Sequence, residues 1–203
     1  PKHVVEAAKK ALDDGHHGYV MSNGIPECRQ AVTRWIKKRY NVDVSHERIL
    51  IMPGGKPTMT YAIQCFGEPG AEIIHPTPAF PIYESMINYT GSTSVPYDLT
   101  EDKDLKFNPD RVLSLITDKT RLLILINPNN PTGTYISKNQ LLDLRKRLNK
   151  NILLVVDDAY FEYMLNKDYR PGLELFKNQN NVFILRTFSK IYGLASLRVG
   201  WGY

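Results

Sequence analysis

Lys190 stands in the segment RTFSKIYGLASLRVGWGY, Arg186 to Tyr203, just after the hydroxyls of Thr187 and Ser189 and ahead of Arg198. A lysine in a partly desolvated loop loses some preference for its charged form, and the neutral amine is a nucleophile toward carbonyls. Two hydroxyls and a forked guanidinium are the donors that cradle a phosphate. The run NVFILR before it reads as a buried strand and LRVGWGY begins another, so Lys190 falls on a connection at a strand end. In α/β proteins that is where chemistry collects.

Three further loops carry unusual residues at the ends of apolar runs. PGGKP, Pro53 to Pro57, joins a strand to a helix, where glycines let a ligand approach the backbone and helix N-terminal amides attract anions. NPNNPTG, Asn127 to Gly133, follows LLILI and offers asparagine amides on a backbone constrained by two prolines. In VVDDAYFEY, Asp157 is the first carboxylate after an apolar run, with Tyr160 shortly beyond it. Each loop also has an ordinary reading by itself. PGGKP would serve as a tight turn, Asp157 or Asp158 as a helix N-cap, and a lone lysine as a solvated charge.

Together the loops supply an amine, phosphate donors, a carboxylate, amide donors and an aromatic ring, which is the set that pyridoxal 5'-phosphate requires. Its aldehyde needs an amine, and its phosphate needs amides, hydroxyls and arginine. Its pyridine nitrogen needs a carboxylate that keeps it protonated, and its flat ring needs an apolar or aromatic face.

The elements that must position these loops alternate along the chain. Helical periodicity predicts helices near Val4 to Asp13, Pro26 to Tyr40, Pro57 to Phe66, Phe80 to Tyr89, Pro109 to Ile116 and Ser137 to Leu148. Short apolar or β-branched runs predict strands at Ile49 to Met52, Glu72 to His75, Ser94 to Pro96, Leu122 to Ile126, Ile152 to Val156, Val182 to Leu185 and Leu197 to Gly202. Such an order demands a largely parallel sheet covered on both faces, with its strand ends converging on one crevice.

Composition excludes other classes. With 203 residues, 42% apolar and 23% charged, the chain is ordinary globular material, and its apolar runs are too short to span a bilayer. Cys28 and Cys65 show no metal-ligand spacing and suit a reduced, intracellular protein. The net charge of +5 arises partly from Lys37 to Arg39 and Arg145 to Arg147, read as solvated helix faces, and no nucleic-acid motif accompanies it. No signal segment opens the chain, and Pro1 rather than Met suggests that the natural N-terminus lies upstream.

NPNNPTG, then DDAY, then TFSKIYGLASLRVG resemble the fold-type I, class I and II aminotransferases, across essentially the whole chain. The resemblance implies the α/β large domain of that fold, with a mostly parallel seven-stranded sheet and helices on both faces. It divides the chain into an N-terminal helical segment over 1–45 and a cofactor-binding core over 46–203, with a C-terminal small domain expected beyond. By resemblance, Lys190 is the Schiff-base lysine that also moves a proton, and Asp157 partners the pyridine nitrogen. Tyr160 and Asn130 donate to the ring hydroxyl, Thr187, Ser189 and Arg198 bind the phosphate, and Gly55 and Lys56 add backbone amides. Phe80 stacks on the ring. Tyr19 matches a tyrosine that reaches the phosphate of a neighbouring subunit, implying a homodimer, although it reads equally well as a core tyrosine before a helix.

From Asn127 onward the chain is similar to histidinol-phosphate aminotransferases, whereas GIPECRQAV, GGKPTMTYAI and FGEPGAEIIHPTPAFPIYESMINYTG look closer to aspartate-type enzymes. Gly54, Gly55, Lys56 and Pro57 replace the Gly-Ser-Asp/Glu loop of the former. The resemblance implies a cytoplasmic transaminase of histidine biosynthesis, moving an amino group from histidinol phosphate or a related donor to a 2-oxo acid. Aspartate or other amino-acid donors, a lyase or decarboxylase on the same cofactor, and a cofactor-sensing regulator domain stay open, because fold and lysine do not choose which bond breaks.

Overall fold

The computed structural model describes residues 1–100 and 105–203. In chain order the elements are α1 (Lys2–Asp13), α2 (Pro26–Tyr40), β1 (Leu50–Met52), α3 (Gly55–Phe66), β2 (Glu72–Thr77), α4 (Ile82–Tyr89) and β3 (Thr93–Asp98). There follow α5 (Pro109–Ser114), β4 (Thr120–Ile126), α6 (Lys138–Arg147), β5 (Leu153–Asp157), α7 (Gly172–Phe176), β6 (Val182–Thr187) and β7 (Gly200–Gly202). One seven-stranded sheet runs β1-β7-β6-β5-β4-β2-β3. From β6 to β3 the pairings are parallel, and β7 runs antiparallel to both β6 and β1. β1 therefore points the same way as β6, and the loops after β1, β2, β4, β5 and β6 open at one end of the sheet.

Successive residues along the central strands belong to opposite faces, as the two-residue pleat requires. Ile74, Leu123, Leu125, Leu154, Val156 and Ile184 pack with Val32 and Ile36 of α2, Leu141 and Leu144 of α6, and Leu173 and Phe176 of α7. Their neighbours Ile73, Leu122, Ile124, Val155 and Leu185 pack with Met59 and Ile63 of α3 and Tyr83 and Ile87 of α4. Burial on both sides explains the unbroken apolar runs. Local signals set the helix ends: Ser137 and Gln140 form a capping box on α6, and Asn41 closes α2 in the left-handed region behind Lys37, Lys38 and Arg39.

The structure adjusts several boundaries. The final strand expected from Leu197 is confined to Gly200–Gly202, because Ala195–Leu197 form a 3-10 turn and Arg198 adopts φ 52°. The helix expected from Pro57 begins at Gly55, which brings the Gly55 and Lys56 amides into its first turn. The short helix α7 carried too few residues to show a period. Among the described residues no helix is long and apolar enough to cross a membrane, and no group of His, Cys, Asp and Glu could hold a metal ion.

Candidate active site

A cleft of about 510 Å³ opens where the strand ends converge, and its walls include Gly55, Lys56, Phe80, Asn130, Asp157, Tyr160, Thr187, Ser189, Lys190 and Arg198. All of the residues singled out in the sequence therefore meet there except Tyr19, which is fully exposed in the segment between α1 and α2. Met59, Ala159 and Ala195 complete the lining.

One wall is built to receive an anion. α3 starts at Gly55 with no side-chain cap, its N-cap Gly54 holding φ 96°, so the positive end of the helix is presented by main chain alone. Across from it, Arg198 donates through Nη1 to Ala195 O at 2.5 Å and Ser189 Oγ at 3.4 Å, and through Nη2 to Pro53 O at 3.4 Å. Thr187 Oγ1 accepts from the Ser189 amide at 3.1 Å. The left-handed backbone of Arg198 is uncommon outside glycine, and its strain is held at the point where the guanidinium closes this wall. A Cβ on Gly54 would collide with Arg198 Nη2, so the loop and the arginine are fitted to each other.

The floor is Asp157, 3% exposed at the end of β5. Neither Asp157 nor Asp158 occupies a helix N-cap position; those positions fall to Tyr160 for the short turn that follows and to Pro171 for α7. Asp157 Oδ1 accepts from the Ala159 amide at 3.0 Å, and Oδ2 accepts from the Tyr83 hydroxyl at 2.6 Å. Burial pushes its carboxyl up to about 6, against the hydrogen bonds from Tyr83 and Ala159 and the nearby Lys190 charge, which pull it down. Such a carboxylate gains most from a positively charged hydrogen-bond donor brought into the cleft. Tyr83 escaped the sequence reading because a tyrosine on the buried side of an amphipathic helix looks like ordinary core; its position on the helix that follows Phe80 was the only signal.

Lys190 lies in the exposed turn after β6, with Nζ 4.8 Å from the centroid of the Tyr160 ring. The Tyr160 hydroxyl accepts from Asn130 Nδ2 at 3.0 Å, which ties the β4 and β5 loops across the cleft. Phe80 is half-buried on another side, with Lys56 Nζ 5.3 Å from its ring centroid. The other asparagines of NPNNPTG brace the loop, and Asn129 also ties it to the loop after β2. Asn127 exchanges both side-chain hydrogen bonds with the Ile136 backbone, and Asn129 bonds Pro78 O and Thr132.

The arrangement fits a phosphorylated, aromatic aldehyde with a basic ring nitrogen. An uncapped helix start and Arg198 suit its phosphate, the buried Asp157 suits a protonated ring nitrogen, Phe80 offers a ring face, and Lys190 supplies an amine.

Relatives point the same way. The family model for aminotransferase class I and II matches residues 1–203. A histidinol-phosphate aminotransferase of Pelagibacter ubique is 48% identical over 168 residues, covering 83% of this chain and 45% of that protein. Another, of Dinoroseobacter shibae, is 41% identical over 204 residues, covering 100% of this chain and 53% of that protein. The likeness therefore includes the region upstream of Asn127. The solved alanine aminotransferase of Pyrococcus furiosus superposes with a TM-score of 0.91 at 28% identity, covering 100% of this chain and 52% of that one. The chain spans about half the length of the curated relatives it matches.

Proposed function

The chain belongs to the class I and II aminotransferases, and on that premise we propose that the protein carrying it is a pyridoxal-phosphate-dependent transaminase. Its amino donor is histidinol phosphate and its acceptor a 2-oxo acid such as 2-oxoglutarate. The observation that carries the reading is the convergence of Lys190, Asp157 and Arg198 on one cleft. The names borne by relatives 48% and 41% identical to the chain support the donor.

Gly55 and Lys56 amides, Thr187, Ser189 and Arg198 would hold the phosphate of the cofactor, Phe80 its ring face, and Asn130 and Tyr160 its ring hydroxyl. Asp157 would accept from the pyridine nitrogen, and Lys190 Nζ would hold the aldehyde carbon. When bound, pyridoxal phosphate supplies a sink for the electron pair left when a bond to the amine-bearing carbon breaks. Asp157, kept as carboxylate by a cationic donor, maintains the positive charge that makes such a sink effective. Once the incoming donor amine has displaced it from the aldehyde carbon, the freed Lys190 Nζ would take the proton from the amine-bearing carbon of the donor, acting as a general base from an exposed turn that reaches over Tyr160. Tyr160 and Asn130 hold each other in place and leave the phenolic oxygen facing the cleft.

The protein is further read as a cytoplasmic homodimer. Tyr19, Val20 and Met21 form an exposed run outside their own cleft, and such a run suits delivery of Tyr19 to the phosphate wall of a second copy.

The test is product analysis with the protein expressed from its complete reading frame, given pyridoxal phosphate, histidinol phosphate and 2-oxoglutarate. Glutamate appearing in step with loss of the donor amine is expected. Ammonia or carbon dioxide in place of glutamate assigns a lyase or decarboxylase, and faster turnover with aspartate or alanine replaces the donor.

A further inference from the structure

Directly behind two of the cleft residues lies a buried ion pair that the proposed chemistry does not use. Asp158 follows Asp157, and Arg186 precedes Thr187, so the pleat sends both side chains to the opposite face of the sheet. Asp158 is fully buried and Arg186 is 2% exposed. Arg186 Nη1 lies 3.5 Å from Asp158 Oδ2. We propose that Asp158 and Arg186 form a positioning pair, locking the ends of β5 and β6 so that Asp157, Tyr160 and Thr187 keep their places in the cleft. The proposal rests on the reading of that cleft as a pyridoxal-phosphate site.

The connections made by the pair support this role. Asp158 Oδ2 accepts from the Gly172 amide at 2.7 Å, which closes the excursion between β5 and α7 that carries Tyr160. Gly172 sits so close to the sheet that a Cβ there would press on Ile184 and Val156, so the closure is tight. The Arg186 guanidinium lies 3.2 Å from the Phe161 ring centroid and 5.4 Å from those of Trp35 and Trp201, and Nη2 donates to the Tyr40 hydroxyl at 3.0 Å. One cation thus joins α2, the turn after Tyr160, and β7 to the strand that ends in Thr187.

Packing alone does not supply this constraint. A cavity of about 210 Å³ lies on the same face, lined by Trp35, Trp201, Arg186 and Thr187 among others. The back of Thr187 is therefore not close-packed, and polar links fix the strand ends there. Asp158 Oδ1 and Arg186 Nη1 have no hydrogen-bond partner, and the bonds that the pair does make, to the Gly172 amide and the Tyr40 hydroxyl, each tie a strand end to another element. Position is the gain that accounts for a charged pair in this place.

The experiment compares Asp158→Asn, Arg186→Met and Arg186→Lys with wild type and with Leu144→Ala, a core truncation on the same face toward the far end of α6. Thermal midpoints of the unliganded proteins, affinity for pyridoxal phosphate, and the pH midpoint of the bound cofactor's absorbance band are measured. Wild type should bind. Asp158→Asn and Arg186→Met should bind at least about tenfold more weakly with a displaced pH midpoint, and Arg186→Lys should recover part of the loss. Leu144→Ala should lose thermal stability yet keep affinity and midpoint near wild type. If Arg186→Met does not fold, Asp158→Asn and Arg186→Lys carry the comparison. Pair variants that bind as Leu144→Ala does, with an unmoved midpoint, overturn the positioning role alone. A wild-type protein that does not bind pyridoxal phosphate overturns the cofactor reading itself.

Discussion

Tyr83 donates its hydroxyl to Asp157 at 2.6 Å in the buried layer between α4 and the end of β5, on the face of the sheet opposite Arg186. The bond favours the carboxylate over the acid, and it is one of the influences holding Asp157 near 6 against burial, which alone would push it higher. Tyr83→Phe removes a hydrogen bond to a charged group, worth about 1.5–3 kcal/mol. The Asp157 carboxyl should then titrate above its present value of about 6, and the acid limb of cofactor binding should move to higher pH. Affinity for pyridoxal phosphate measured from pH 5 to 9 checks this; a limb that does not move separates Tyr83 from the function of Asp157.

Asp157→Asn should split stability from function. In the folded protein Asp157 keeps its proton up to about pH 6, whereas the unfolded chain releases it near 3.8. The native state thus binds more protons between those values, so stability falls as pH rises through the window and stays lower above it. The buried charge costs at most about 3 kcal/mol at pH 8 on that shift. The unliganded Asn variant should therefore melt above wild type at pH 8, with the advantage fading below pH 4, while its cofactor affinity and turnover drop by orders of magnitude. Melting curves at both pH values, with binding, decide it.

Much of the fold was legible because parallel strands buried on both faces produce unbroken apolar runs such as LLILI, and β-branched runs flanked by glycine and proline mark strand ends. The cleft was legible for a related reason: Asp157, Asn130 and Lys190 are polar residues placed where those runs stop. Other features lay in relationships that sequence does not display. The direction of β7 depends on the turn at Arg198, whose left-handed backbone no residue type there announces. Tyr83 reads as core until its hydroxyl is seen against Asp157. Asn127 and Asn130 are the same residue type three positions apart, yet one braces its own loop and the other faces the cleft.

Lys190→Ala should abolish turnover and remove the site of borohydride fixation. Incubation with pyridoxal phosphate followed by reduction and peptide mapping should label Lys190 in wild type and leave Lys56, the other lysine of the cleft, unlabelled. Label on Lys56, or unchanged single-turnover transfer in the Ala variant, contradicts the assignment of the amine. Noncovalent affinity for the cofactor should survive in part, because the wall proposed for its phosphate, at Arg198 and the start of α3, does not include Lys190.

That wall can be tested through its backbone. Gly54 holds φ 96°, a conformation that alanine adopts only with strain, and an added Cβ would collide with Arg198 Nη2. Gly54→Ala should therefore lower stability by about 1–2 kcal/mol and, separately, force the guanidinium away from Ser189 and Pro53. If Arg198 and the start of α3 hold a phosphate, the loss must depend on the ligand carrying one. Affinity for pyridoxal 5'-phosphate should fall about tenfold or more, while the weaker affinity for pyridoxal, which has the same ring and aldehyde, should change little. Arg198→Met should reproduce the discrimination without the backbone strain. Equal losses for both ligands in both variants would mean that the loop shapes the cleft generally, and that its anion-binding wall is not where the cofactor's phosphate sits.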